Sequence, residues 1–85
     1  MNQPLVSILV PVKNGKRYIV ETLDSILSQN YTNFELIVVD DGSTDFDYKS
    51  LESRDPRIKV HRTTGLGVSA ARNLGLSLAR GDFIA

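Results

Sequence analysis

The sequence predicts an α/β fold: an open, mostly parallel sheet with flanking helices, in the order β-α-β-α-β-α-β. Two observations carry this expectation. Short apolar runs alternate along the chain with amphipathic stretches, the pattern of successive βαβ units. The first run is also nearly continuous in its apolar content, as befits a strand covered by helices on both faces. No internal repeat or low-complexity segment interrupts the order.

Leu5-Val6-Ser7-Ile8-Leu9-Val10 reads as the first strand, ended by Pro11, which has no N–H to give a sheet ladder. Asn14-Gly15 signals a turn. From about Arg17 to Gln29, Ile19, Leu23, Ile26 and Leu27 recur at helical spacing, with Glu21, Asp24 and Ser28 mostly on the other side, which predicts a helix packed onto the sheet. Phe34 to Val39 is the second strand, opening into Asp40-Asp41-Gly42-Ser43-Thr44-Asp45. Residues 46–54 are expected to hold a short polar helix of poor periodicity. Asp55-Pro56 breaks it, and Ile58-Lys59-Val60-His61 forms a third strand. Thr63-Thr64-Gly65-Leu66-Gly67 is a loop. Val68 to Arg80 reads as a helix with a face of small residues, Ala70, Ala71, Gly75 and Ala79, and Gly81 is its expected cap. Asp82-Phe83-Ile84-Ala85 begins a fourth strand. A chain that stops inside an apolar strand reads as truncated there.

At 85 residues the chain is one domain or part of one. So short a chain buries a smaller share of its surface than larger domains and is expected to be marginally stable alone. Ten basic residues balance ten acidic ones, so no overall field favours nucleic acid or an anionic membrane. Tyr18, Tyr31 and Tyr48 lack the spacing of a base-stacking platform, and no nucleic-acid partner is expected. The absence of cysteine removes disulfides, thiolate metal sites and cysteine nucleophiles together and fits a cytoplasmic protein. Met1-Asn2-Gln3-Pro4 lacks the basic region and long apolar run of a signal peptide. Leu5 to Val12 falls far short of the roughly 20 residues that span a bilayer.

Ligands of open parallel sheets bind outside the carboxyl ends of the strands. The polar clusters lie at those ends: Pro11 to Gly15, Asp40 to Asp45, and His61 to Gly67. Two adjacent carboxylates closing an apolar run are costly unless solvated or bound. An ionised Asp41 is acceptor-only and suits a uracil imide N–H or a ribose hydroxyl. The same pair also fits a polar turn in which Ser43 or Asp45 caps the next helix, and one carboxylate can cap while its neighbour binds. Gly65-Leu66-Gly67-Val68-Ser69-Ala70 matches G-x-G-x-x-[GA] between a strand and a helix. It follows the third strand, however, and lacks the acidic residue expected about 20 positions on. Its glycines are therefore expected to turn the loop and bring the helix close to the sheet. Arg72, near a helix N-terminus, opposes the helix dipole and calls for a partner, Asp41 or a ligand diphosphate; a solvated surface arginine is the alternative. His61, the only histidine, reads as structural.

Val6-Ser7-Ile8-Leu9-Val10-Pro11-Val12-Lys13-Asn14-Gly15, then Thr22 to Gln29, then Phe34 to Asp45, closely resemble family 2 glycosyltransferases of the GT-A fold, a Rossmann-like arrangement. Asp55-Pro56-Arg57-Ile58, Gly67 to Gly75 and Ala79 to Ala85 continue the resemblance, which covers essentially the whole chain after residue 4. Ordered motifs at the family's intervals give it a specificity that none has alone. It implies that residues 1–85 are the N-terminal, nucleotide-binding part of an inverting transferase. The donor is a nucleotide-sugar, most often a UDP-sugar, and the acceptor a glycan or lipid-linked hydroxyl in glycan or polysaccharide synthesis.

The resemblance further implies that Pro11 and Val12, with Lys13, lie against the base and that Asp41 hydrogen-bonds it. Arg72 lies near the donor, and Asn14 belongs to the same nucleotide-sugar site. Lys13 stands where the family usually has an aromatic residue, commonly tyrosine, that can stack on the base. A divalent cation, Mn or Mg, is expected for the full-length enzyme, on a D-x-D motif beginning a few residues after Ala85, with the catalytic base further on. No catalytic or metal-binding residue is therefore expected within residues 1–85, and the piece alone is expected to be inactive and to bind nucleotide weakly. The full-length protein is expected in the cytoplasm or at the inner face of the membrane. Two other readings compete: a dinucleotide-binding module on Gly65 to Ala70, and a structural fragment that self-associates through the exposed edge Phe83-Ile84-Ala85.

Overall fold

The computed structural model describes residues 3–85, so the first two residues of the Met1 to Pro4 segment lie outside it. In chain order the elements are strand β1 (Val6–Val12), helix α1 (Ile19–Leu27), strand β2 (Phe34–Asp41), a 3₁₀ helix (Tyr48–Arg54), strand β3 (Ile58–Thr63), helix α2 (Val68–Leu78) and strand β4 (Phe83–Ile84). The strands are parallel throughout, in the order β3-β2-β1-β4.

Strand alternation divides the core into two layers. Phe34, Leu36 and Val38 of β2, with Val12, Ile58 and Val60, pack against Ile19 and Leu23 of α1 and Tyr48 and Leu51 of the 3₁₀ helix. Ile37 and Val39 point the other way and, with Leu9, meet Ala71, Leu74 and Leu78 of α2. This two-sided burial is why β2 is apolar without alternation. Each fully buried Leu, Ile or Val stabilises the fold by roughly 1.5–3 kcal/mol. The small face of α2 packs on the sheet at Ala71 and Gly75: a β-carbon at buried Gly75 would meet Leu9 Cδ2 at 3.4 Å and Val39 Cγ2 at 3.5 Å, ordinary contact that leaves room for a methyl group.

From β1 through α1, β2 and the 3₁₀ helix to β3, the chain steps outward along one face. Helix α2 then runs back over the other face and delivers β4 to the far side of β1. The strand order reverses beside β1, which places the ligand-binding crevice of such a sheet at that strand's carboxyl end.

Several boundaries differ from expectation for identifiable reasons. β1 continues through Pro11 to Val12. The Val6 N–H bonds Asn33 on the β2 side and the Leu9 N–H bonds Ala85 on the β4 side. Pro11 shares the parity of Leu9, so its missing N–H falls on the β4 side, past the Val6 and Ser7 pairs that β4 makes. The polar helix is 3₁₀ rather than α, and its buried residues Tyr48 and Leu51 are three apart, which matches a period of three.

Helix α2 ends at Leu78, and Ala79 is extended, so Gly81 is not its cap. The Gly81 N–H instead donates to Ser7 Oγ at 2.8 Å. That hydroxyl donates to Glu35 at 2.5 Å, and the Arg80 N–H donates to the same carboxylate at 2.7 Å. Burial pushes the Glu35 carboxyl up, but the bonds from Ser7 and Arg80 and the Arg80 charge hold it below its usual value. This half-buried network draws the chain off the helix and into β4.

The outer edge of β3 is capped at its middle. The Val60 N–H donates to the Glu52 carboxylate at 2.8 Å, and the Val60 carbonyl accepts from Lys49 Nζ at 3.2 Å. At the opposite edge, Phe83 and Ile84 of β4 are exposed.

Candidate functional site

A cleft of about 240 Å³ opens at the carboxyl ends of β1 and β2. Pro11, Val12 and Lys13 form one wall, Gly65, Gly67, Val68 and Ala71 the other, and Asp41 lies between them. Of the expected site residues, the structure brings Pro11, Val12 and Asp41 together here and leaves Asn14 and Arg72 outside the lining. The volume lies below the roughly 300–1,000 Å³ of pockets that enclose whole small ligands, so the cleft suits one ring-sized part of a ligand.

The two adjacent carboxylates part company because successive strand residues face opposite ways. Asp40 turns to the α1 face, where Arg62 Nη1 donates to Oδ2 at 2.6 Å and the Ser43 N–H donates to Oδ1 at 2.9 Å. Arg62 Nη2 also donates to the Ser43 carbonyl at 2.8 Å. Asp41 turns to the α2 face. Its Oδ1 accepts from the Thr63 hydroxyl and from the Leu66 N–H at 2.7 Å, and its Oδ2 accepts from the Gly67 N–H at 2.8 Å. The Thr63 hydroxyl foremost, then the two amides and the Lys13 charge, hold the Asp41 carboxyl below its usual value against the opposing effect of burial. At neutral pH it is therefore an ionised acceptor with about four positions, three of them filled from within the chain.

The same bonds decide the glycine pattern. Gly65 and Gly67 have φ of 84° and 98°, conformations that favour glycine. They turn the loop so that the Leu66 and Gly67 amides point at Asp41. Those amides are thus engaged and not presented to a pyrophosphate, as a dinucleotide fingerprint would need. A β-carbon at Gly42 would lie 2.9 Å from the Gly65 nitrogen, so the loops after β2 and β3 touch.

Asn14 backs the wall from behind. It adopts φ of 51°, its N–H donates to Ser43 Oγ at 2.8 Å, and its Oδ1 accepts from the Thr44 N–H at 2.9 Å. The Gly15 N–H donates to the Tyr48 hydroxyl at 2.6 Å, which donates to Asp45 Oδ1 at 2.8 Å, while Asp45 Oδ2 accepts from the Lys16 N–H at 3.0 Å. The loops after β1 and β2 are thereby laced together. Ser43 and Asp45 serve this lacing instead of capping the 3₁₀ helix, whose cap position is held by Asp47.

Arg72 is exposed on α2 and makes no salt bridge among the described residues. The expected pairing with Asp41 does not form, because Thr63, Leu66 and Gly67 already occupy that carboxylate. Arg62, Thr63 and Tyr48 are site-shaping residues that sequence reasoning missed. The available signal was register: once β2 and β3 extend to their full length, Asp40 pairs with Arg62 and Asp41 with Thr63. Among the described residues no group of three or more His, Asp or Glu side chains converges as a metal site. Asp40 and Asp41 point to opposite faces and are bonded elsewhere, so the residues present do not fit a divalent cation.

The sequence profile of the glycosyl transferase family 2 matches residues 7–85. The chain belongs to this family. It is 47% identical over 91 aligned positions to an uncharacterized glycosyltransferase of Haemophilus influenzae, with 99% of this chain and 35% of that protein covered. It is 40% identical to the glycosyltransferase GlyG of Streptococcus pneumoniae, with 94% of this chain and 28% of that protein covered.

Among solved structures it is similar to the mannosyltransferase PcManGT of Pyrobaculum calidifontis in complex with GDP-Man and Mn2+. The TM-score is 0.87 at 30% identity, covering 98% of this chain and 26% of that one. It is also similar to S. aureus TarS, at a TM-score of 0.82 and 35% identity, covering 93% of this chain and 25% of that one. The parallel sheet with helices on both faces is the GT-A arrangement of these family 2 relatives. The chain spans about a third or less of their lengths. No described helix is long and apolar enough to cross a membrane.

Proposed function

We propose that this chain is the donor-base-binding part of a nucleotide-sugar-dependent, inverting glycosyltransferase, and that a UDP-sugar is its donor. One observation carries the reading: the cleft lies where the strand order reverses, and its single carboxylate, Asp41, keeps an open acceptor position between two largely apolar walls. A planar base fits between Pro11 and the backbone of Val12 on one side and the exposed Val68 on the other. Its ring N–H donates to Asp41. Lys13 brings the cleft's one cation to the rim.

In the complete enzyme the acceptor hydroxyl oxygen bonds the anomeric carbon as the bond from that carbon to the diphosphate breaks. The hydroxyl proton passes to a base. We place that base, and the ligands of the expected divalent cation, C-terminal to Ala85, and residues 1–85 alone are then inactive. The expected acceptor is a glycan or lipid-linked hydroxyl at the cytoplasmic side of a membrane.

The test is a titration of the intact protein with UDP, GDP and NAD, with and without manganese, followed by amide chemical shifts. The reading expects UDP to move the Val12, Lys13, Asp41 and Leu66 to Val68 amides, with base contacts that persist without metal. Binding of GDP but not UDP would replace the base and keep the site. No nucleoside diphosphate binding at millimolar concentration, or preferential binding of NAD, would overturn it. Sugar transfer by residues 1–85 alone would refute the inactivity of that piece.

A further inference from the structure

Asp41 lines the cleft, yet its carboxylate is not free to turn. Parallel pairing sets Thr63, the last residue of β3, directly beside Asp41, the last residue of β2. Residues so paired project from the same face of the sheet. The Thr63 hydroxyl donates to Oδ1, and the Leu66 N–H donates to the same oxygen at 2.7 Å. Two donors fill the acceptor positions of Oδ1. Oδ2 takes only the Gly67 N–H at 2.8 Å and keeps one position open.

A carboxylate torsion is broad and roughly two-fold, so without restraint either oxygen can present its lone pairs to a ligand. The amides of Leu66 and Gly67 belong to a loop that turns at two positive-φ glycines, Gly65 and Gly67. Thr63 belongs to the sheet, and its donor is fixed by strand pairing. It is thus the one Asp41 donor carried by a paired strand.

We propose that Thr63 is a positioning residue that fixes the rotation of the Asp41 carboxylate and so directs its single open acceptor position at the ring N–H of the donor base. The inference rests on the donor-base reading of the cleft. Thr63 acts through Asp41 and touches no ligand itself. The chemical class it selects is a base with a ring N–H flanked by carbonyl oxygen, as in a uridine or guanosine diphosphate. Asp40 and Arg62, the neighbouring charged pair, face the opposite side of the sheet and take no part.

The test uses Thr63→Val, which keeps the branched shape while removing the hydroxyl, and Thr63→Ser, which restores the hydroxyl. Dissociation constants are measured on the intact protein for UDP and GDP and for their ring-methylated analogues, N3-methyl-UDP and N1-methyl-GDP. For whichever diphosphate the wild type binds, Thr63→Val should bind about three- to tenfold more weakly, the scale of one hydrogen bond to a charged group shared between folding and binding. Thr63→Ser should bind within about twofold of wild type. The methylated analogue has no ring N–H to give, so wild type and Thr63→Val should bind it equally. A purely structural role for Thr63 would weaken both ligands alike, and that result overturns the proposal. So does an unchanged constant for Thr63→Val while wild type binds the diphosphate well. Absence of diphosphate binding by the wild type would instead overturn the donor-base reading, and this inference with it.

Discussion

Arg62 and Asp40 stand opposite each other on adjacent strands, and the guanidinium closes on the carboxylate at 2.6 Å with Arg62 58% and Asp40 3% exposed. The pair also fixes the turn after β2, because Arg62 and Asp40 hold the carbonyl and N–H of Ser43 respectively. Removing the arginine alone leaves a buried carboxylate without its cation. Arg62→Met should destabilise the fold by about 1–3 kcal/mol, less than the loss from a fully buried pair because the arginine is largely in water. Adding Asp40→Asn should recover part of the loss. Urea midpoints of the single and double variants decide it, and an unchanged midpoint for Arg62→Met would rule the idea out.

Gly81 and Gly75 should respond differently to alanine, the first losing stability and the second losing none. A β-carbon at Gly81 would lie 2.5 Å from Ser7 Oγ, 2.7 Å from Ser7 N and 2.8 Å from the Leu5 carbonyl oxygen, so the backbone must move. Gly81→Ala should lower stability by about 1–3 kcal/mol through this overpacking. At Gly75 the nearest atom is a leucine methyl at 3.4 Å. There alanine should be neutral or stabilise by up to about 1 kcal/mol, the helix-propensity difference. Thermal or urea unfolding of the two variants measures both effects.

Tyr48 closes the lacing between the first two loops. Its hydroxyl is the acceptor for the Gly15 N–H and a donor to Asp45. Burial first, and the Asp45 bond second, push the phenol above its usual value, so it stays a donor well into the alkaline range. Tyr48→Phe should cost about 1–3 kcal/mol, since the buried Gly15 N–H loses its partner. Hydrogen exchange at Gly15 should quicken more than exchange in the centre of β2; equal change at both would argue against a local role.

Acid should weaken the fold from one side only. The Thr63 hydroxyl at Asp41, the Val60 N–H at Glu52 and the Arg57 guanidinium at Asp55 each hold a carboxyl below its usual value. A carboxyl depressed in the folded state adds stability that is fully present above the unfolded value, near 4, and is lost as pH falls through the folded value. Urea midpoints should be nearly level from pH 7 to about 5 and fall steadily below. A midpoint that rises between pH 5 and 3 would contradict these assignments.

Much of this architecture was legible because apolar content and period carry it. Ile19, Leu23, Ile26 and Leu27 marked the buried stripe of α1, and the nearly continuous apolar run of β1 marked a strand covered on both sides, with Val6, Ile8, Val10 and Val12 on one face and Leu9 on the other. Pro11 misled because only strand parity, which is invisible before pairing is known, shows that its missing donor harms nothing. Gly81 misled because local cap preference yields to the bonds that Ser7 and Glu35 make to the chain after α2. Pro11, Val12 and Asp41, which line the cleft, fall in the strand-end segments 11–15 and 40–45 that the sequence singles out. The roles of Arg62 and Thr63 as supports were not legible, since a residue's neighbour across a sheet depends on register and not on sequence distance. Of the partners expected for Arg72, Asp41 is already held by Thr63, Leu66 and Gly67, and Arg72 lies exposed on α2.

The capped middle of β3 gives the sheet a direction of growth. Val60 has already given its outward N–H and carbonyl to Glu52 and Lys49, so a strand approaching that margin finds its central docking points taken. On the other margin, β4 holds exposed Phe83 and Ile84. Any strand added to this sheet, from the same polypeptide or from another molecule, would therefore enter beside β4, and the cleft at the end of β1 would lie toward the interior of the enlarged sheet.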